Sequence, residues 1–464
     1  MKLAIAAALL TGPIALVASA QTQGPSSSQS PYILPSAPGV QTVSILTVGD
    51  TVGGYTLAGI PDGMGAFGLP GGEFQLVVNH EISSTLGAVR AHGAAGAFVS
   101  KWQINRTTLA VSSGADLIQT LNITSGTQAI NRLCSGDLPK RTAFFLNSNV
   151  ATAPYIFMSG EESGAEGRAF AHIASGAEAG TSHELPALGN FSWENAVARP
   201  HPSRLTLVAG LDDSTPGQVY FYVGSKQRVG STIERAGLAQ GTLYGVRVPG
   251  IALEDRVNGL SGVNVFELAS LGDASGLTGA QIQSASTAAG VTEFLRPEDG
   301  AWDPADPRVF YFVTTDRFNT APSPGRSRLW RLTFALPNAP QLGGSIEMLL
   351  DGTEGQQMFD NLCHDGKGHL LIQEDPGNQS YLARIWQYDI ASDSLLALTE
   401  PDPVRFVSGG ASFLTQDEET SGIFDASSLL GAGWFVFNIQ AHYSIPGALV
   451  EGGQILALFN PDSL

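Results

Sequence analysis

Asp360-Asn361-Leu362-Cys363-His364-Asp365-Gly366-Lys367-Gly368-His369-Leu370-Leu371-Ile372-Gln373-Glu374-Asp375-Pro376-Gly377 is the stretch from which the fold can be read. It reads as a turn at Asp360-Asn361-Leu362, a buried strand over Leu370-Leu371-Ile372, and carboxylates delivered where that strand ends. The arrangement recurs at Leu76-Val77-Val78-Asn79-His80-Glu81 and at Ile156-Phe157-Met158-Ser159-Gly160-Glu161-Glu162. It recurs again at Leu207-Val208-Ala209-Gly210-Leu211-Asp212-Asp213 and at Phe310-Tyr311-Phe312-Val313-Thr314-Thr315-Asp316. Strands that repeatedly end in acid gather hard oxygen ligands around one point. Carboxylates so gathered repel one another unless cations neutralise them.

Around these stretches, helical periodicity is scarce. Strand-like runs bounded by Gly, Pro, Asn and Asp are common, among them Phe98–Ile104, Gln218–Val223, Ser327–Thr333, Ala383–Tyr388 and Trp434–Ile439. The recurring unit is roughly 60 to 70 residues, longer than a minimal four-stranded blade. An all-β propeller with inserted loops fits, with six blades or alternatively seven, over a single domain spanning 40–464. A short helical insertion is expected within 265–291.

The 464 residues carry a formal charge of −18, with 14% charged residues, 55 Gly and 26 Pro. That composition describes a turn-rich globular chain. The acidic balance and the lack of a basic patch exclude nucleic acid as a partner. Residues 1–20 read as a Sec signal peptide: Lys2, an apolar run, then Ala18-Ser19-Ala20 as a cleavage site. The run is too short for a permanent span, so a periplasmic or secreted protein, acting as a monomer, is expected. Residues 21–39, rich in Ser and Pro, read as a flexible leader. The two cysteines, Cys134 and Cys363, suit either one disulfide or a thiolate ligand at Cys134, and the two readings exclude each other.

Taken in chain order, the candidate ligands are Glu81, Glu161 and Glu162, Glu194, Asp212 and Asp213, Glu298 and Asp299, Glu374 and Asp375, and Glu418 and Glu419. Any one pair could be a solvated turn. Repetition at strand ends argues instead for a shared centre, because a propeller gathers those ends at its channel. Clustered Asp and Glu suit calcium, which takes six to eight oxygens. Cys134, or His80 and His442, would admit a transition metal beside it. No EF-hand, HExxH, P-loop or GxSxG pattern occurs, and Ser135 has no base beside it in sequence. Arg296, two residues before Glu298, is either half of an ion pair or a fork for a phosphate or carboxylate.

Eight segments, in order, resemble those of PhoX-type alkaline phosphatases, within a wider group of exported DUF839-type propellers. They are Asn79-His80-Glu81, Cys134-Ser135-Gly136, Glu161-Glu162, Trp193-Glu194, Leu211-Asp212-Asp213, Arg296-Pro297-Glu298, Asp360-Asn361-Leu362 and Glu419-Thr420-Ser421-Gly422. The resemblance implies a six-bladed propeller whose channel holds calcium and iron and hydrolyses small phosphate esters. It implies Cys134 as an iron thiolate, and Glu81, Glu162, Glu194, Glu298 and Glu419 as carboxylate ligands. Glu161 and Asp213 join that metal set. Arg296 and Glu298 would be catalytic, with Arg296 and His442 binding substrate. The chain departs from the family at Asp137, where Gly is usual, and at Trp193, where His is usual. These departures favour a second reading, a calcium-stabilised propeller that binds a ligand or partner without hydrolysis. A phytase-like esterase on the same scaffold is the third.

Overall fold

Residues that alternate apolar side chains within short Gly- and Asn-bounded runs form six antiparallel blades around a central axis. The computed structural model describes residues 20–464 except 125, 147–149, 151, 256 and 317–324. The signal-peptide reading therefore falls almost wholly outside the described residues.

The innermost strands are Pro61–Leu69, Leu133–Asp137, Trp193–Ala198, Pro297–Trp302, Phe359–His364 and Glu418–Asp425, defining blades 1 to 6. Each packs against the next, and the last against the first, so the ring is closed. The second strands are Glu73–His80, Ile156–Glu161, Leu205–Asp212, Val309–Thr314, His369–Glu374 and Trp434–Ile445. Blade 6 is completed by Gln41–Thr47, which runs antiparallel to Val450–Phe459. Both ends of the chain thus meet in one sheet and hold the ring shut. A propeller is the observed architecture, with six blades.

Hydrophobic clusters fill each interface between neighbouring blades. Successive residues of one strand point to opposite interfaces. Leu370 and Ile372 pack toward blade 4, whereas Leu371 packs toward blade 6. A buried aromatic such as Phe221 or Trp330 fills the space between blades 3 and 4. At the axis the inner strands come too close for large residues. A Cβ added at Gly63 would lie 2.0 Å from the backbone nitrogen of Gly136 on the adjoining blade.

Three local expectations change. The stretch 21–39 is not a loose leader: Ala20–Gln23 adds a parallel strand to blade 6 and Ile33–Pro35 an antiparallel one to blade 5. Tyr32 and Ile33 are buried there, which offsets the Ser and Pro content. Within 265–291, only Gly279–Ala289 is helical, opened by a Thr278 capping box and closed by Gly290. Val263–Gly272 is instead a strand that bridges the outer edges of blades 3 and 4. Asp360-Asn361-Leu362 is not a turn but lies inside the innermost strand of blade 5. No helix among the described residues is long and apolar enough to cross a membrane.

Candidate metal centre

The second residue of every innermost strand carries a potential metal ligand: Asp62, Cys134, Glu194, Glu298, Asp360 and Glu419. Five of the six sit inside an irregularity in the pairing with the second strand, between Pro61 and Met64 and at the matching places of blades 2 to 5. A bulge inserts an extra residue and re-aims its side chain, here at the channel. Blade 6 has its irregularity slightly later, at Gly422. Glu81, Glu162, Asp213 and Asp375 supply a further tier, each directly following the second strand of its blade. Thr315 holds that place in blade 4 and donates to Glu298 Oε1 at 2.7 Å.

Ligand atoms meet in four overlapping groups: Asp62–Glu81–Cys134, Cys134–Glu162–Glu194, Glu194–Glu298–Asp360 and Asp360–Asp375–Glu419. Within each group the atoms lie within 4.8 Å of one another. Cys134, Glu194 and Asp360 each belong to two groups, so the ligands form one continuous chain across the channel. A cavity of about 330 Å³ opens on all of these ligands but Asp62, and is lined also by Arg132, Arg296, Asp213 and His442.

Burial is the leading reason that the carboxyls of Asp62, Glu162, Glu194, Glu298 and Asp360 are pushed well above the usual range. Neighbouring carboxylates add to it, and Glu419 is pushed up to about 8. Burial and the surrounding acids likewise push up the Cys134 thiol. Arg296 opposes them, donating through Nε and Nη2 to Asp213 at 2.8 and 2.9 Å and standing 3.0 Å from Glu298 Oε1. Arg132 bonds Glu81 and Glu162. Glu419 and Glu451 push the His442 imidazole well above its ordinary range against the pull of burial, with Nδ1 2.6 Å from Glu451 Oε2. Glu298 Oε2 is buried with no hydrogen-bond partner among the described residues. An acceptor-only oxygen left bare in an acidic cavity fits a bound cation.

The structure therefore brings Glu81, Cys134, Glu162, Glu194, Asp213, Arg296, Glu298, Glu419 and His442 to one cavity. It does not bring Glu161. That carboxylate faces away from the channel, gripped by Arg168 at 2.6 and 2.8 Å and by the Asn131 amide. Adjacent strand residues face opposite ways, so only one of the Glu161-Glu162 pair can enter. His80 is stacked on Phe98 and bonded to Ser100, outside the cavity. Asp212 is used by the Ser192 amide and Ser214. Trp193 is buried in the core against Phe191, and Asp137 lines a separate cavity at the other end of the channel. Neither departure from the family pattern touches the ligand set.

Sequence reasoning missed Asp62, Asp360 and Arg132 as site residues, whereas Asp375, one of its candidate ligands, does join a ligand group. Pro61-Asp62-Gly63 carries turn residues throughout. Its likeness to Pro297-Glu298-Asp299-Gly300 was the available signal.

Cys134 and Cys363 are both free and buried. No disulfide links them, and Cys363 lines the cavity at the opposite end. If Cys134 holds a metal, chelation should accelerate its alkylation in the native protein and leave Cys363 as before. Equal rates with and without chelator would remove Cys134 from the ligand set.

A family model described as alkaline phosphatase PhoX matches residues 173–422. The fold is similar to Pseudomonas fluorescens PhoX in complex with vanadate, a transition state analogue, with TM-score 0.63 and 14% identity over 93% of this chain and 98% of that one. Weaker likenesses include the Hadza microbial sialidase Hz136, at TM-score 0.38 and 9% identity over 90% of this chain and 69% of that one. A Penicillium chrysogenum alpha-L-arabinanase complexed with arabinobiose stands at TM-score 0.37 and 9% identity, over 92% and 98%. No curated protein matches the sequence.

Proposed function

Because the chain belongs to the alkaline phosphatase PhoX family, we propose that it is an exported phosphomonoesterase working at calcium ions held in the channel, with iron beside Cys134. The observation that carries this is the unbroken chain of four ligand groups facing the same cavity as Arg296. Oxygen dominates the donor set, which suits calcium. The single thiolate candidate, shared by two groups, adds the softer ligand that iron accepts. Cations bound there would polarise the phosphoryl oxygens and ease departure of the alcohol oxygen.

The protein's own groups divide the remaining tasks. Glu298, Asp360, Glu194 and Glu419 would hold the cations. Arg296, fixed by Asp213, presents a planar guanidinium to the phosphoryl group. Thr315 fixes one oxygen of Glu298, and the other is left without a hydrogen-bond partner among the described residues. His442 lines the same cavity between Glu419 and Glu451, whose carboxylates favour its protonated form. A dianionic ester entering a chain of charge −18 needs this local inversion of potential. Export rests on residues 1–20.

The test is hydrolysis of a chromogenic phosphomonoester with added calcium, with and without iron, alongside metal analysis by mass spectrometry. Activity that follows bound metal is expected, and Glu298→Gln should lower metal content and activity together. A metal-loaded wild type with no turnover above buffer would leave a ligand-binding propeller as the better reading.

A further inference from the structure

The geometry points to Arg132 as a second substrate arginine, one that favours phosphomonoesters whose alcohol carries a further anionic group. This rests on the phosphatase reading above.

Arg132 and Arg296 occupy the same place in two blades. Each directly precedes an innermost strand and stands two residues before a channel ligand, Cys134 or Glu298. Each has left-handed backbone, with φ of 47° and 57°. Each reaches the carboxylate that follows the second strand of the preceding blade, Glu81 for Arg132 and Asp213 for Arg296. The kink itself belongs to the architecture, since Ile60 and Met358 adopt it at the same place in blades 1 and 5. Those two side chains are apolar and buried. The kink therefore does not require a guanidinium, and of the four residues that carry it only Arg132 and Arg296 line the channel cavity.

The two arginines differ in depth. The Arg296 side chain is 8% exposed and that of Arg132 46%. Arg132 uses Nε and Nη2 on Glu81 at 2.7 and 2.6 Å, and Nη2 on Glu162 at 2.5 Å. Its side chain lines the same cavity as Arg296. An arginine this exposed is partly screened by solvent, so its pairing with Glu81 and Glu162 is worth less than a fully buried pair. It is well placed to meet a ligand at the mouth. Cations that share Glu81 and Glu162 would weaken their hold on Arg132 and leave its planar fork for an oxyanion. A phosphate ester of a neutral alcohol presents its charge only to the deep groups. A second phosphate or carboxylate on the alcohol would meet a cavity wall that also carries Asp417 and Glu451. Arg132 would turn repulsion there into attraction.

The experiment compares metal-loaded wild type, Arg132→Ala and Arg132→Lys on 4-nitrophenyl phosphate and on 3-phosphoglycerate, with metal content measured in each. Arg132→Ala should raise KM for 3-phosphoglycerate by about tenfold to a hundredfold, the usual range for losing a hydrogen bond to a charged group. The ratio of kcat/KM for 3-phosphoglycerate to that for 4-nitrophenyl phosphate should fall by about tenfold or more, since only the former ester offers the second charged contact. Arg132→Lys should recover part of the loss. Equal losses on both esters, or losses that track bound metal, would make Arg132 a strut and overturn the inference. If wild type hydrolyses neither ester, the phosphatase reading fails and calorimetry decides on Arg132. Wild type should then bind methylenediphosphonate more tightly than methylphosphonate, with the difference lost in Arg132→Ala. No difference in wild type would overturn the inference independently.

Discussion

Arg296→Ala is expected to lower kcat on a phosphomonoester by about 10²–10³-fold, the range seen when one preorganised donor to a developing charge is removed. The expectation rests on where the side chain is held. Arg296 sits in left-handed backbone directly before the Pro297–Trp302 strand, and two bonds to Asp213 lock its plane. A guanidinium fixed in this way spends little conformational entropy in meeting a phosphoryl group. It also stands beside Glu298, so a simple ion pair is the competing account. Arg296→Lys separates the two. A lysine keeps the charge next to Asp213 and Glu298 but loses the fork, so turnover should stay depressed while folding and metal content recover. Breaking a buried ion pair by removing one partner typically costs about 3–5 kcal/mol. Melting curves must therefore accompany the kinetics. A folded, metal-loaded Arg296→Ala with wild-type turnover would reduce Arg296 to a structural cation.

The blades were legible because each interface is filled from one strand at a period of two residues, as at Leu370, Leu371 and Ile372. The acids were legible as a population but not in their placement. Reading them as strand-end groups suits Glu81, Glu162, Asp213 and Asp375, which do follow second strands. It misplaces the others. Glu194, Glu298 and Glu419 lie near the start of innermost strands, and all but Glu419 are aimed by bulges. A bulge is a property of pairing between strands, and no local pattern announces it. The same residues that permit a bulge, such as Asp-Gly in blade 1 and Asp-Asn in blade 5, are those that favour turns. Asp62 and Asp360 were lost for that reason. Arg132 was lost because only the blade register shows its equivalence to Arg296.

Stripping metal should reverse the way stability responds to pH. In the metal-free protein the carboxyls of Asp62, Glu162, Glu194, Glu298, Asp360 and Glu419 have folded-state pKa values above their unfolded ones, chiefly through burial, with Glu419 at about 8. Outside the ligand set, Glu418 at about 8 and Asp212 at about 7 shift the same way. The folded chain then binds more protons than the unfolded chain, so stability falls as pH rises. The contribution is fully present below the unfolded carboxyl range near pH 4 and is lost as pH climbs toward 8. Bound cations invert this. They require the deprotonated ligands, compete with protons, and add binding free energy to the folded state only. A site filled at a thousand times its Kd contributes roughly 4 kcal/mol. At about 2–4 °C per kcal/mol in a large domain, that amounts to a Tm shift on the order of 10 °C for each such site. In excess chelator, Tm should decline from pH 5 to pH 8. In calcium it should hold or rise over the same span, so the two curves separate most at pH 8. Superimposable melting curves at pH 8 with and without chelator would mean that protons, not cations, neutralise the channel, and the metal-based account of this site would fall with them.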